Sequence, residues 1–159
     1  RTDTGILRGQ NVFGNLPAGE TYIAPIEDSA EGFLVVDKCF PGMLLSEPVR
    51  MRFEKGRVTH IEGGAGAEFL EKAISLHGDA ARVIAELGVG TNPLARLQGN
   101  IITDEKVLGT IHVAIGRNTH MGGNNIATTH IDGVVGQPTL EIDGKMLIEN
   151  GKHLSGFSS

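Results

Sequence analysis

A histidine and an aspartate two positions apart, His130 and Asp132, are the residues of this sequence best suited to chemistry. They lie in a short apolar run, residues 126–136, that ends at a glycine and is typical of a β-strand. Because side chains at i and i+2 of a strand leave the same face, an imidazole nitrogen and a carboxylate oxygen would converge on one point. The spacing therefore predicts two ligands of a divalent cation. The structural alternative is that His130 caps a sheet edge and Asp132 opens a turn at Gly133.

A second histidine, His112, lies in the clearest strand pattern of the chain, residues 109–116. One face of this strand carries three β-branched residues, and His112 lies between two small residues on the other. The residues are Ile111, Val113 and Ile115 on the first face and Thr110 and Ala114 beside His112. Small neighbours leave room for a ligand or catalytic histidine, whereas a histidine on a solvated face fits the same alternation equally well.

The composition predicts one domain of α+β class spanning residues 1–159. Among 159 residues there are 23 glycines, about twice average usage, and no tryptophan. We expect mainly antiparallel strands in a barrel-like or sandwich sheet, with one or two helices from 65 to 86. The helical spacing predicts a first helix over 65–76 that stops at Gly78 and a short helix or turn over 79–86, and 94–106 is predicted to be loop. A frayed tail is expected over 156–159.

Charge and hydropathy argue against two classes of partner. The formal charge of −5 includes no Lys/Arg cluster, so nucleic acid is not an expected partner. No apolar run approaches the ~18 residues of a membrane helix, and no signal peptide is predicted. The single cysteine, Cys39, is predicted to be a packing residue, and a cytoplasmic setting is expected.

Four blocks in order resemble the aminopeptidase T and aminopeptidase S family of metallo-aminopeptidases. They are Leu-Pro-Ala-Gly-Glu-Thr-Tyr-Ile-Ala-Pro, Ile-Ala-Glu-Leu-Gly-Val-Gly-Thr-Asn-Pro, Gly-Thr-Ile-His-Val-Ala-Ile-Gly and Thr-His-Ile-Asp-Gly-Val-Val-Gly. The resemblance covers nearly the whole chain but only the C-terminal, metal-bearing domain of a two-domain family. It implies a homodimer and an N-terminal domain missing from this sequence, so that the fragment alone would be weakly active or inactive.

The resemblance also implies a site for two divalent metal ions, zinc, cobalt or manganese. The implied ligands are Glu20, Glu86, His112, His130 and Asp132. These ions would activate a water that releases N-terminal amino acids from a peptide substrate. Either Glu20 or Glu86 would be the general base, and the sequence leaves this choice open.

One position departs from the family pattern. The family has a tyrosine seven residues after the first histidine, where this chain has Thr119. The adjacent His120 is the candidate substitute, and a loop histidine unrelated to the metal is the alternative.

A competing resemblance is to the 2,5-dihydroxypyridine dioxygenases, which share Asp-Ser-Ala-Glu-Gly (28–32) and the His-x-Asp pair. This family implies one iron held by two histidines and one carboxylate. It would have a histidine in place of Glu86 and apolar residues in place of Glu20 and His112. The sequence therefore favours the peptidase, with the dioxygenase as the alternative and a catalytically silent module as a third interpretation.

Overall fold

A computed structural model describes residues 2–6, 8 and 14–154, so the predicted tail at 156–159 lies outside the described residues. The strands are Thr2–Asp3 (β1), Glu20–Ile23 (β2), Gly32–Val36 (β3), Cys39–Phe40 (β4), Met43–Leu44 (β5), Val49–Glu54 (β6), Arg57–Glu62 (β7), Ile84–Gly90 (β8), Thr110–Gly116 (β9), His130–Gly136 (β10), Leu140–Ile142 (β11), Lys145–Glu149 (β12) and Lys152–His153 (β13). The α-helices are Gly64–His77 (α1) and Ile101–Asp104 (α2), and 3-10 turns span Asp79–Arg82 and Thr119–Met121.

The predicted α+β class is confirmed: antiparallel strands dominate, and no sheet of the described residues closes into a barrel. A seven-stranded sheet has the order β1-β2-β8-β9-β10-β4-β5. Two three-stranded sheets, β3-β6-β7 and β11-β12-β13, complete the strand structure. Because β8, β9 and β10 are neighbours near the middle of the large sheet, residues distant in sequence are brought side by side.

The hydrophobic core lies between one face of the large sheet, the β3-β6-β7 sheet and α1. Strand β6 alternates between buried and exposed residues, because successive side chains of a strand point to opposite faces. Helix α1 contributes Leu70 and Ile74, and the large sheet contributes Val113, Ile115 and Ile131. The opposite face of the central strands is therefore not part of this core.

Two predictions of local structure are right only in part. The short helix or turn predicted over 79–86 is a 3-10 turn over Asp79–Arg82, and its predicted end is wrong, because β8 begins at Ile84 and places Glu86 in a strand. The segment 94–106 is not all loop, since it contains the short helix α2. Helix α1 does end where predicted: the Gly78 amide donates to the Ile74 carbonyl at 2.8 Å. No helix in the described part of the chain is long and apolar enough to cross a membrane.

Helix α1 offers a matched test of the core. Leu70 is fully buried and Leu76, on the same helix, is 72% exposed. We expect Leu70→Ala to lower the free energy of unfolding by about 2–5 kcal/mol, because it leaves a cavity in the core. Leu76→Ala should cost about 0.5 kcal/mol or less, because its side chain is mainly in water. Urea unfolding of both variants measures the difference, and equal losses would contradict this description of the core.

Candidate metal centre

The predicted ligands lie on one face of four neighbouring strands, β2, β8, β9 and β10. Cα partners across antiparallel strands share a face, and Glu86, Ala114 and Asp132 are partners across β8, β9 and β10. His112, two residues before Ala114, and His130, two residues before Asp132, therefore lie on the same face. Glu20 joins them from β2, where it pairs with Gly90. The structure brings all five predicted ligands together on the sheet face opposite the core.

A β-bulge gives Glu86 its position. Ile84 pairs with Ile115 and faces the core, and regular alternation would turn Glu86 toward the core as well. The register shifts between these two residues, so Glu86 pairs with Ala114 instead of Val113. The extra residue, Ala85, turns the Glu86 side chain to the opposite face, as bulges beside functional sites commonly do.

Gly88 provides the space that the His112 ring occupies. The two residues are Cα partners on β8 and β9, and a Cβ built at Gly88 would overlap the His112 imidazole. The histidine therefore lies across β8, with its side chain fully buried and Nε2 directed at carboxylates. Any side chain at position 88 would displace it.

Glu86 links the two histidines, with one carboxylate oxygen near each. Its Oε1 lies 3.2 Å from Nε2 of His112, and its Oε2 lies 3.2 Å from Nε2 of His130. Asp132 Oδ1 is 3.3 Å from the same His130 nitrogen. The Nδ1 of His130 donates to the Arg117 carbonyl at 2.6 Å, which fixes the ring and directs Nε2 toward the carboxylates.

The close approach of these charged groups lowers the pKa of Glu86 and raises the pKa of both histidines. Burial alone raises the pKa of Glu86, but the two histidines outweigh burial and hold it at about 2. Burial lowers the pKa of His130, yet Asp132 and Glu86 raise it to about 11. The pKa of His112 is also raised, because Glu86 and Asp132 outweigh its desolvation. Burial raises the pKa of Glu20, and Lys106 offsets this only in part.

Two charged residues that were not among the predicted ligands, Glu105 and Lys106, also belong to this cluster. The Lys106 side chain is fully buried, and its Nζ donates to Glu20 Oε1 at 2.8 Å and to Glu105 Oε1. Burial and the nearby Asp132 raise the pKa of Glu105 to about 7. The only signal in the sequence was the Asp-Glu-Lys cluster in the predicted loop, which does not reveal that a lysine is buried.

His120 lies at the edge of the centre, and the adjacent Thr119 contacts Arg117. The rings of His120 and His130 meet edge to face with centroids 5.3 Å apart. The Thr119 hydroxyl accepts a hydrogen bond from Arg117 Nε at 2.9 Å. His120 is close enough to Glu86 and His130 to act as a ligand with them, and a metal-binding role for Thr119 stays a prediction.

The donor atoms fit a divalent cation. Three groups each have ligand atoms within 4.8 Å of one another: Glu86, His112 and Asp132; Glu86, His120 and His130; and Glu20, Glu105 and His112. Glu20 Oε2 and Asp132 Oδ1 are buried, and each lies only near a histidine Nε2, at 3.4 and 3.3 Å, without a hydrogen bond of good geometry among the described residues. Buried polar atoms normally have a partner, and a cation bound here would supply one. The mixture of carboxylate and imidazole suits iron, manganese, cobalt or zinc.

An open groove borders the edge of the centre at His130. It has a volume of about 360 Å³ and is lined by His130, His77 and Thr129, with apolar residues of α1 on its wall. His130 is the one predicted ligand that lines it, because α1 packs on the opposite face of the sheet from the other four.

Comparison with known proteins gives two kinds of relative. The profile of the family described as NicX, 2,5-dihydroxypyridine 5,6-dioxygenase, matches residues 2–155. The 2,5-dihydroxypyridine 5,6-dioxygenase of Pseudomonas putida is 28% identical over 166 residues, covering 94% of this chain and 47% of that protein. Aminopeptidase T of Thermus thermophilus is 25% identical over 156 residues, covering 86% of this chain and 37% of that protein.

Solved structures of the same two kinds of protein are similar in fold to this chain. The dihydroxypyridine dioxygenase from P. putida superimposes with a TM-score of 0.77 at 25% identity, over 86% of this chain and 43% of that chain. Wild-type AmpT from T. thermophilus gives 0.71 at 22% identity, over 89% and 41%, and this likeness concerns the fold alone. The chain spans less than half the length of the curated relatives it matches.

The α+β fold and the cluster of carboxylate and imidazole donors are those of a protein related to metalloenzymes. Within that class, the chain belongs to the 2,5-dihydroxypyridine 5,6-dioxygenase (NicX) family. The predicted resemblance to aminopeptidase T is confirmed for the fold. The family, however, is that of the 2,5-dihydroxypyridine dioxygenases, which the sequence predicted only as the alternative.

The space at Gly88 can be tested with a double-mutant cycle. We expect Gly88→Ala to lower the free energy of unfolding by about 1–3 kcal/mol, because the new methyl group displaces His112. In a His112→Ala background the same change should cost at least about 1 kcal/mol less, because the ring is gone. Urea unfolding of the four proteins gives the coupling, and a cost that does not depend on His112 would contradict the predicted clash.

The loop that carries His120 is held by a carboxylate whose titration can be followed. Glu27 Oε1 accepts from the Asn124 amide at 2.6 Å and from Asn118 Nδ2 at 3.0 Å. These hydrogen bonds lower the pKa of Glu27 below 4.5, so its stabilisation is complete above pH 4.5 and is lost as the pH falls through the folded-state pKa. The Asn124 amide proton shift should titrate with a midpoint below 4.5. Glu27→Gln should abolish that transition, and a midpoint above the ordinary glutamate value would contradict the contact.

Proposed function

We propose that this chain supplies the metal-binding part of a dioxygenase that uses one ferrous ion to cleave a dihydroxylated aromatic ring. The observation that carries this proposal is the convergence of two imidazoles and a carboxylate, His112, His130 and Asp132, around Glu86. Two histidines and one carboxylate are the protein ligands typical of non-haem iron oxygenases. Membership of the dioxygenase family supports the same reaction class. Because this chain has Glu86 where that resemblance implies a histidine, the second imidazole ligand would be His112.

His130, Asp132 and His112 would hold the metal, with Glu86 as a further ligand or as the group that orients both rings. When bound, ferrous iron at such a site supplies the oxygen chemistry. The surrounding residues contribute position: the Arg117 carbonyl fixes the His130 ring, and Gly88 lets His112 reach the same point. The burial of His112, Glu86 and Asp132 keeps bulk water from the inner side of the centre.

His120 has the position of a group that could meet the substrate. It is exposed, adjoins the His130 ring and lies on the loop held by Glu27. An imidazole at this edge could hold or accept a proton from a ring hydroxyl of the substrate. The groove that borders His130 has apolar side chains on its α1 wall, which could contact an aromatic ring that reaches this histidine.

A second candidate, a two-metal aminopeptidase, is favoured by the additional group Glu20, Glu105 and His112. In that function zinc, cobalt or manganese ions would activate a water, with Glu20 or Glu86 as the general base. A peptide substrate, a homodimer, an N-terminal domain outside this sequence and a cytoplasmic location remain predictions that belong with this candidate.

Parallel assays of the full-length protein separate the candidates. We expect oxygen uptake with 2,5-dihydroxypyridine after anaerobic loading with ferrous iron, and no amino-acid release from a peptide panel with zinc, cobalt or manganese. An oxygen electrode and amino-acid analysis provide the two measurements. Amino-acid release without oxygen uptake would overturn the proposal in favour of the peptidase.

Substitution of the ligands tests the same centre by metal content. His130→Ala and Asp132→Ala should each lose at least about 90% of the bound iron and of the oxygen uptake, because each removes a ligand. His153→Ala is the matched control, since this exposed histidine lies on β13 in a different sheet. Full retention of iron in both ligand variants would contradict the site.

A further inference from the structure

Glu20, Glu105 and His112 form a second potential metal site beside the proposed one. We call these three residues the outer group. Their ligand atoms lie within 4.8 Å of one another, and two carboxylates with an imidazole are suitable donors for a divalent cation. Glu20 is 5% exposed, and its Oε2 has no hydrogen-bond partner among the described residues. This oxygen lies 3.4 Å from Nε2 of His112, inside the group.

The outer group already contains a cation. The ammonium of Lys106 lies 2.8 Å from Glu20 Oε1 and also contacts Glu105 Oε1. The Lys106 side chain is fully buried, and a charged lysine is stable there only because these carboxylates compensate for its lost hydration. Lys106 thus neutralises the carboxylates that a second metal would use.

The backbone holds Lys106 in this position. Its carbonyl accepts from the Asn92 amide at 2.8 Å, and its own amide donates to the Thr103 carbonyl at 3.1 Å. The segment packs so closely on β8 that a Cβ at Gly90 would overlap the Val107 carbonyl. Moving the ammonium to solvent would also leave Glu20 and Glu105 close together without a counter-charge. The backbone at Lys106 is therefore fixed, and the two carboxylates favour the ammonium in the outer group.

A metal ion and this ammonium cannot share the outer group. An ion bound by Glu20 and Glu105 would lie about 2.0–2.6 Å from their oxygens, which makes the ammonium its immediate neighbour. Two positive charges a few ångströms apart in a buried site repel each other strongly. We propose that Lys106 takes the place of a second divalent cation in the outer group, so that the chain binds one metal ion and gains a second only when an uncharged residue replaces Lys106.

This inference rests on the proposed one-metal function. It explains why the second metal ion that the aminopeptidase candidate requires would not bind. With the ammonium removed, Glu20 and Glu105 each regain a free oxygen, and these two carboxylates would hold the second ion, because Nε2 of His112 would already be bound to the first. Lys106 is a positioning residue in this scheme, since it acts through Glu20 and Glu105 without contacting the metal.

Metal stoichiometry tests the proposal directly. The full-length protein is dialysed to equilibrium against Zn²⁺ alone, and bound zinc is counted by elemental analysis. We expect one ion per chain for the wild type and two for Lys106→Met, which keeps the length of the side chain but removes its charge. Lys145→Met, an exposed lysine on β12, makes the same change in net charge and should leave the count at one. Adding Glu20→Gln to Lys106→Met should return the count to one.

Two results would overturn the proposal: any wild-type count other than one, or one ion in a Lys106→Met protein whose circular dichroism matches the wild type. If Lys106→Met does not fold, Glu105→Gln in the wild-type background decides. Its count should stay at one with an affinity within about threefold of wild type, whereas loss of bound zinc would show that the outer group binds metal and overturn the proposal. The oxygen-uptake assay fails or succeeds independently of these counts, so the two proposals can be rejected separately.

Discussion

The candidate site depends on the separation of the two faces of a central antiparallel sheet. Val113, Ile115 and Ile131 anchor one face in the core, and the residues between them point away from it. Because one face packs on the core, the register of these strands is strongly specified. The side chains on the opposite face are therefore held at equally definite positions. Histidines and carboxylates from separate parts of the chain therefore meet without depending on flexible loops.

The second constraint is that each buried charge needs a partner of opposite charge. The two-faced sheet meets this constraint because it places the charged side chains next to one another. Four carboxylates, Glu20, Glu86, Glu105 and Asp132, lie near two imidazoles and a single buried ammonium. Each of these groups costs free energy to bury alone and is stable only beside a partner of opposite charge. Glu86 shows the effect most clearly, since its neighbours overcome burial and lower its pKa to about 2. Removing one member leaves others uncompensated, so the effects of substitutions here will not add.

The sequence predicted those parts of the site that depend on strand alternation alone. His130 and Asp132 share a face because they are two positions apart, and the strand around His112 has a clear period of two. The position of Glu86 was not accessible in the same way. It depends on a bulge at Ala85 and on pairing with β9, which no local pattern reveals, and the preceding helical residues made a helix the reasonable prediction. Lys106 was missed for a related reason: a lysine in a polar segment is normally exposed, and its burial follows from packing of α2 and the end of β8.

The fold cannot decide between the two activities, because relatives of both kinds share it. Function must therefore be argued from the charges and donors that this chain adds to the common scaffold. The residues of a two-metal site are nearly all present, and the feature that argues against two metals is an ammonium where a cation would otherwise lie. A buried lysine and a divalent ion both satisfy the same pair of carboxylates, yet only the ion can bind and activate a water. Exchange of one for the other would change the number of metals, and with it the available chemistry, without altering the sheet that positions the remaining ligands.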